Sequence, residues 1–558
     1  MQRAIHVFIL CLLLLTLVMP TTASAIPAFD ESVPQFRAFW VDAFGAGIYT
    51  PAEIDQLVAD TKAANMNALV VQVGRRGDCF CNRAMMPRTQ AAIAPEPFDP
   101  LQYLIDEAHA QGIEVHAWVI ATAIWNSITP PINPNHVFNQ HGPSQAGADN
   151  WLMYRSDGAF RAGSDYLLDP GHPEAADYIV RMFTSVVANY DIDGIHFDRI
   201  RYPDFTLGTL IPSWGYNPVA VARFQEATDR TDIPAPTDPE WAQWRRDQIT
   251  NIVRRVYLES TALKPDIRVS ASTITYGYGP QSTTGGYEGT RTYAEVLQDW
   301  RGWMQEGILD FNLPMNYKRE HFTTEPNNQL RMYEEWNEFA KDNQYDRQVV
   351  IGSAAYLNFI TGTVSQLRKA LAPSAAGNTA VGWSAYSYRT PDALTNADQS
   401  QGPAQRAELI RALTQPSEYD SLTPPIFESP VPVPSIPWKD QPIKGHLMGT
   451  VTAPDGVPFD QIRMDLYDAE TDVLIASRLT DGSGWFGFID LAPGRYKLQV
   501  DSTRAHGPHQ TITVAVSAGH IAAVELTPFR RGQEGNQPLH LRDGFDPGEL
   551  DLSLNGER

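Results

Sequence analysis

Between Phe36 and Arg389, eight short apolar runs alternate with amphipathic helical ones. The strand-like runs are "FRAFWVDAFG" (36–45), "NALVVQVG" (67–74), "IEVHAWVIAT" (113–122), "DGIHFDRIRY" (193–202), "DIRVSASTIT" (266–275), "LDFNLPMNY" (309–317), "RQVVIGSAAY" (347–356) and "AVGWSAYSY" (380–388). Helical runs such as "PAEIDQLVADTKAANM" and "DPLQYLIDEAHAQG" separate them, several opening on Pro and closing at Gly. Eight such units predict an α/β fold, a (β/α)8 TIM barrel over 36–390. An open doubly wound sheet is disfavoured, because no G-x-G-x-x-G follows the first strand. Helix-to-strand links are two residues or so, whereas long insertions follow strands three and four, from Trp125 to His172 and Asp204 to Pro239. In a barrel those loops build the C-terminal face, where active sites sit.

The rest of the chain divides by composition. Residues 1–25 carry Arg3, an apolar run from Ile5 to Met19 and Ala23-Ser24-Ala25, the pattern of a secretory signal peptide. A secreted protein, in the periplasm or at the cell surface, is the expectation. Removing that segment takes away one positive charge, so the formal net charge of −22 becomes −23. Such an acidic chain is a poor ligand for nucleic acid or anionic lipid. After a short helical stretch, residues 416–442 are proline-dense and predict a stiff linker. Residues 443–528, with short alternating strands between D-G, G-S-G and P-G turns, predict a small all-β sandwich. The polar tail, 529–558, is expected to be disordered. Cys79 and Cys81, one residue apart, are expected neither to pair easily nor to define a disulfide scaffold.

The stretch "DIDGIHFDRIRYP" (191–203) gathers a carboxylate, an imidazole and two guanidiniums at one strand end. Alternation puts His196 and Asp198 on one face, with Ile195, Phe197 and Arg199 on the other. The apolar pair suits the surrounding helices, so His196 and Asp198 should point into the barrel mouth, near Arg201. The competing structural reading pairs Asp198 with Arg199 or Arg201. Strand one repeats the device with Trp40 and Asp42 in phase; Asp42 either serves the cleft or caps the following turn. Strand two ends in Arg75, Arg76 and Asp78, and strand three offers His116 and Trp118. Strand six ends in Asn316 and Tyr317, and strand eight carries Trp383 and Tyr386. Carboxylates, Asn, Arg and aromatic planes together suit sugars. A metal hydrolase would want a His-x-His pair on strand one, where the chain has "WVDAF"; no metal and no cofactor are expected. No G-x-S-x-G stands in a strand–turn–helix context, which leaves carboxylate-driven glycoside cleavage.

The segments "FWVDAFGAGIYTPAEIDQLVADTKAANMNALVVQV", "LLDPGHPEAADYIV", "DGIHFDRIRYP" and "PMNY", in that order, resemble the glycosyl hydrolase-like 10 family of secreted bacterial barrels. The resemblance spans about 36–360. It implies glycan-chain cleavage, in some members of peptidoglycan strands stripped of their peptides. The family's strand-four motif falls on Asp193 to Asp198 and makes Asp198 the leading catalytic candidate. In related barrels a partner acid ends strand six, but here Asn316 holds that place and Asp310 lies at the strand's other end. The partner stays open among Asp42, Asp78 and Asp169, with Asp42 the leading choice. Residues 443–528 resemble carboxypeptidase regulatory-like sandwiches through "GTVTAPDG" and "TDGSGWFGFIDLAPGRYKLQV", which implies an accessory module. The expected protein is a monomeric glycoside hydrolase with a glycan substrate and no membrane span after signal removal. The alternative is a non-catalytic wall- or polysaccharide-binding protein on the same scaffold.

Overall fold

The computed structural model describes residues 33–45, 47–501 and 510–527; the expected signal segment and tail lie outside them. Eight parallel strands close into a barrel: β1 (Phe36–Val41), β2 (Ala68–Gly74), β3 (Glu114–Ile120), β4 (Gly194–Asp198), β5 (Arg268–Ile274), β6 (Phe311–Asn316), β7 (Gln348–Ala354) and β8 (Gly382–Tyr386). Each strand neighbours the next, and β8 pairs with β1. The principal outer helices are α1 (Pro51–Ala63), α2 (Pro100–His109), α3 (Pro173–Asn189), α4 (Pro239–Leu263), α5 (Trp300–Glu306), α6 (Gln329–Asp342), α7 (Ile360–Leu371) and α8 (Gly402–Thr414). Thr50, Asp99 and Asp238 cap α1, α2 and α4 with Pro next in line, satisfying amide donors that a helix start leaves free.

Inward residues fall in levels. Trp40 lies level with Val70 and Tyr386, and His196 with Trp118 and Ser270. Two glycines make room for these large rings. A Cβ on Gly194 would stand 2.1 Å from the His116 ring, and one on Gly352 would stand 2.5 Å from the Trp40 indole.

The proline-rich segment departs from the linker expectation. It runs across the bottom of the barrel and closes it. Arg37 Nη1 donates to the Ser429 carbonyl at 2.7 Å, and Asn67 Nδ2 to that of Val431 at 2.9 Å. Ile436 joins Phe36, Phe311 and Val350 in the bottom layer of the core. Trp438 Nε1 and Lys439 Nζ reach the fully buried Asp310 at 2.6 and 2.7 Å. A proline-dense strand suits this place because its missing amides need no acceptors, while its carbonyls take donors from the strand starts.

Beyond it, two sheets share one core. The strands are β9 (Gly445–Val451), β10 (Arg463–Asp468), β11 (Leu474–Leu479), β12 (Trp485–Leu491), β13 (Gly494–Val500), β14 (Gln510–Val516) and β15 (Ile521–Leu526). They pair as β12-β9-β15 and β11-β10-β13-β14. Leu447, Phe486 and Val524 of the first sheet pack with Met464, Leu498 and Val514 of the second, which makes the module a sandwich.

Cys79 and Cys81 form a disulfide, against expectation. The loop after β2 sets their Cα atoms 5.1 Å apart, inside the range that a bridge tolerates, so near adjacency in sequence is no bar. Among the described residues no helix is long and apolar enough to cross a membrane.

Candidate active site

A cleft of about 260 Å³ opens at the C-terminal mouth of the barrel. Its floor is the last inward level of the strands: Trp40 of β1, Gln72 of β2, Trp118 of β3 and Ser272 of β5. Tyr317 and Tyr386 stack at 5.4 Å along one wall, and Tyr356 meets Tyr386 edge-on at 5.8 Å. Among the described residues, the indole nitrogens of Trp40 and Trp118 and the Gln72 amide nitrogen find no hydrogen-bond acceptor. Flat rings beside spare polar groups fit a pyranose, whose C–H faces stack while its hydroxyls take hydrogen bonds.

Asp198 ends β4 at this cleft. Its Oδ1 accepts the Arg199 amide at 2.6 Å and lies 3.9 Å from Arg201 Nη1. Arg199 has φ +49°, a left-handed conformation rare for a non-glycine residue. That twist breaks the strand's alternation, so Arg199 lines the cleft with Asp198 instead of facing the helices. The Arg199 guanidinium then pairs with Asp165, and its carbonyl accepts the Thr122 hydroxyl at 2.9 Å. Among the described residues, Arg201 Nε and Nη1 find no hydrogen-bond partner. A second chamber of about 220 Å³ shares Arg199 and Arg201 with this cleft and has Asp165, Asp204 and Phe205 on its walls. Tyr276 donates to Asp204 at 2.8 Å. Burial opposes ionisation there, yet Arg201 and the Tyr276 hydroxyl hold Asp204 below the usual carboxylate range.

His196 points inward as expected but lies under the floor. It is fully buried, with its ring nitrogens 2.9 and 2.7 Å from the hydroxyls of Ser270 and Ser272. Burial pushes it well below the ordinary imidazole value, so it stays neutral. Tyr317 and Tyr386 are raised by burial, which keeps two phenolic donors at the wall.

Other expected residues take different places. Asp42 is buried at the rim, where its Oδ1 accepts the Phe44 amide at 3.1 Å and meets Arg389 Nε at 3.3 Å. Arg75 and Arg76 sit over the ring of Phe44, which lines the cleft, and so reach the site through that ring. Asp78 is buried in the loop after β2, accepting the Arg76 amide at 3.2 Å and the Thr89 hydroxyl. Asp169 is buried beneath the long loops, accepting amides of Gly171 at 2.9 Å and Asn217 at 3.2 Å; burial pushes it up to about 6. His116 lies deep in the barrel, 3.1 Å from Glu114 and edge-on to Phe36. Asn316 turns to the helix layer and donates to the Tyr333 carbonyl and the Asn337 side chain, both at 2.8 Å. Trp383 also faces outward, donating to Ser353 at 2.9 Å. Residues 316 and 383 fall on the outer phase of their strands; Met315 and Tyr386 hold the inner one. Gln72, Ser272, Asp165 and Asp204 were not singled out by sequence. Gln72 and Ser272 are legible only once the inward phase of β2 and β5 is fixed.

A closed parallel barrel whose C-terminal mouth joins a carboxylate, arginines and stacked rings is a (β/α)8 barrel with its candidate site on the face where such barrels act. The chain is a member of the glycosyl hydrolase-like 10 family, whose model matches residues 35–356. It is 27% identical to glycosyl hydrolase YngK of Bacillus subtilis (strain 168) over 366 residues, 62% of this chain and 65% of that one. Glycosyl hydrolase DigH of Escherichia coli (strain K12) is 26% identical over 281 residues, 49% of this chain and 59% of that one. The match thus spans less than two thirds of either relative. Among solved structures, the PgaB (BpsB) glycoside hydrolase domain from Bordetella bronchiseptica overlaps with a TM-score of 0.47 at 15% identity, covering 69% of this chain and 100% of that one. The catalytic domain of a Paenibacillus polymyxa β-amylase gives 0.46 at 12% identity, covering 68% and 97%.

Proposed function

We propose that this protein is an exported glycoside hydrolase that cleaves a bacterial glycan, with peptidoglycan glycan strands as the substrate class. The observation that carries this reading is Asp198, an inward carboxylate beside a wall and floor of aromatic rings. A sugar seated on Trp40, Trp118 and the Tyr317–Tyr386 stack would set a glycosidic oxygen near Asp198. Asp198 then donates its proton to that oxygen as the C1–O bond breaks, while the phenolic donors of Tyr317 and Tyr386 hold the ring's hydroxyls. Residues 1–25 would carry the chain out of the cytoplasm.

The test is Asp198→Asn, which keeps shape and removes the proton. Turnover of peptide-free peptidoglycan strands should fall by ~10²–10⁴ with little change in thermal melting. A variant with near wild-type turnover would end the reading. A second reading, a glycan-binding protein without turnover, draws on one fact: among the described residues, Asp198 is the one carboxylate lining this chamber. Binding of intact strands by the wild-type chain with no released ends would establish that alternative.

A further inference from the structure

A hydrolase needs a second group, to activate water or to attack C1, and the sequence candidates Asp78 and Asp169 are both spent on amides away from the cleft. From the adjoining chamber we infer that Asp204 is the second catalytic carboxylate, acting as general base in an inverting cleavage. The inference rests on the hydrolase reading above. Three observations point to it. Asp204 lines the chamber next to the Asp198 cleft, and the two share Arg199 and Arg201 in their linings. Tyr276 fixes the carboxyl at 2.8 Å, and Arg201 with that hydroxyl keeps it ionised, the state a base needs and an acid does not. Asp165, the other acid of that chamber, is taken up by a direct pair with Arg199, and Asp42 by Arg389 and the Phe44 amide.

The shared lining also bears on stereochemistry. Arg201 stands 3.9 Å from Asp198 and lines both the cleft of Asp198 and the chamber of Asp204. An inverting cleavage needs the wider carboxyl spacing, about 6.5–9.5 Å, that leaves room for a water. In the step, the water oxygen bonds to C1 and its proton passes to Asp204. The C1–O bond breaks, and the leaving oxygen takes the proton of Asp198. Solvent then returns one proton to Asp198 and removes one from Asp204.

The experiment uses the full chain, peptide-free peptidoglycan strands, and the variants Asp204→Asn, Asp204→Ala and Asp198→Asn. Asp204→Asn should lose ~10²–10⁴ in kcat with KM little changed, and its pH–rate profile should lose the acidic limb that a base's ionisation produces. Sodium azide should restore turnover of Asp204→Ala and give a glycosyl azide of inverted configuration. Wild-type products of retained configuration would overturn the proposal. So would an Asp204→Asn enzyme within tenfold of wild type, one of reduced activity that keeps the acidic limb, or an Asp204→Ala enzyme that azide does not rescue. Failure of the underlying reading looks different: it would show as an active Asp198→Asn enzyme.

Discussion

Gly352 stands where Trp40 needs room, and this makes the floor of the cleft sensitive to a single methyl. A Cβ there would lie 2.5 Å from the indole and 2.7 Å from the Pro314 carbonyl, so the ring must shift into the cleft. Gly352→Ala should cost about 1–3 kcal/mol in urea unfolding, as overpacking does, and should raise KM for the glycan more than it lowers stability. A kinetic comparison at matched folded fraction checks it; unchanged KM would mean that Trp40 does not floor the sugar site. At this scale the period of two was the useful guide. It carried Trp40, Trp118, His196 and Asp198 inward, but it could not tell depth, so His196 fell under the floor with Ser270 and Ser272. It fails where backbone leaves the strand, as Arg199 does at φ +49°. Trp383 and Tyr386, three residues apart, cannot share a strand face, and phase favours the tyrosine.

Among the elements, the alternation of eight strands with helices and the uneven loop lengths made the barrel and its working face readable. The proline-dense segment was not, because composition reports stiffness and says nothing of where a stiff chain docks. Its anchor is the Lys439–Asp310 pair, with side chains 3% and 0% exposed. Replacing Lys439 leaves a buried carboxylate still served by Trp438 Nε1 and the Val269 amide at 2.8 Å, but with its counter-charge gone. Lys439→Met should therefore destabilise the protein by about 3–5 kcal/mol, and adding Asp310→Asn should recover part of the loss. Urea unfolding of the two single variants and the double one measures the coupling. If Lys439→Met is neutral, the segment is not a structural plug.

For the whole molecule, length and turn pattern announced two cores, yet not that they would be held face to face. Arg223 clasps Asp460 through two bonds of 2.6 and 2.7 Å, and the buried Arg347 reaches Asp490 at 2.9 Å. His446 of β9 sits in the same seam. Its Nδ1 accepts the Asp490 amide at 3.1 Å, and its ring meets Tyr257 of α4 edge-on at 6.1 Å. Burial lowers this imidazole to about 4. The folded state thus refuses a proton that the unfolded chain, near 6.5, accepts. Stability from this group is complete above about pH 6.5 and drains as pH falls toward 4, by up to about 3 kcal/mol. His196, also lowered by burial, acts in the same direction. Asp169 acts oppositely: raised to about 6, it favours the folded state as acid protonates it between pH 6 and 4. A bare melting curve would mix these effects, so the prediction is a difference. His446→Asn keeps an acceptor for the Asp490 amide and cannot titrate. Its melting temperature, taken relative to its own value at pH 7, should fall less than that of wild type by pH 4.5. Parallel curves for the two proteins would show that the seam tolerates a charged imidazole.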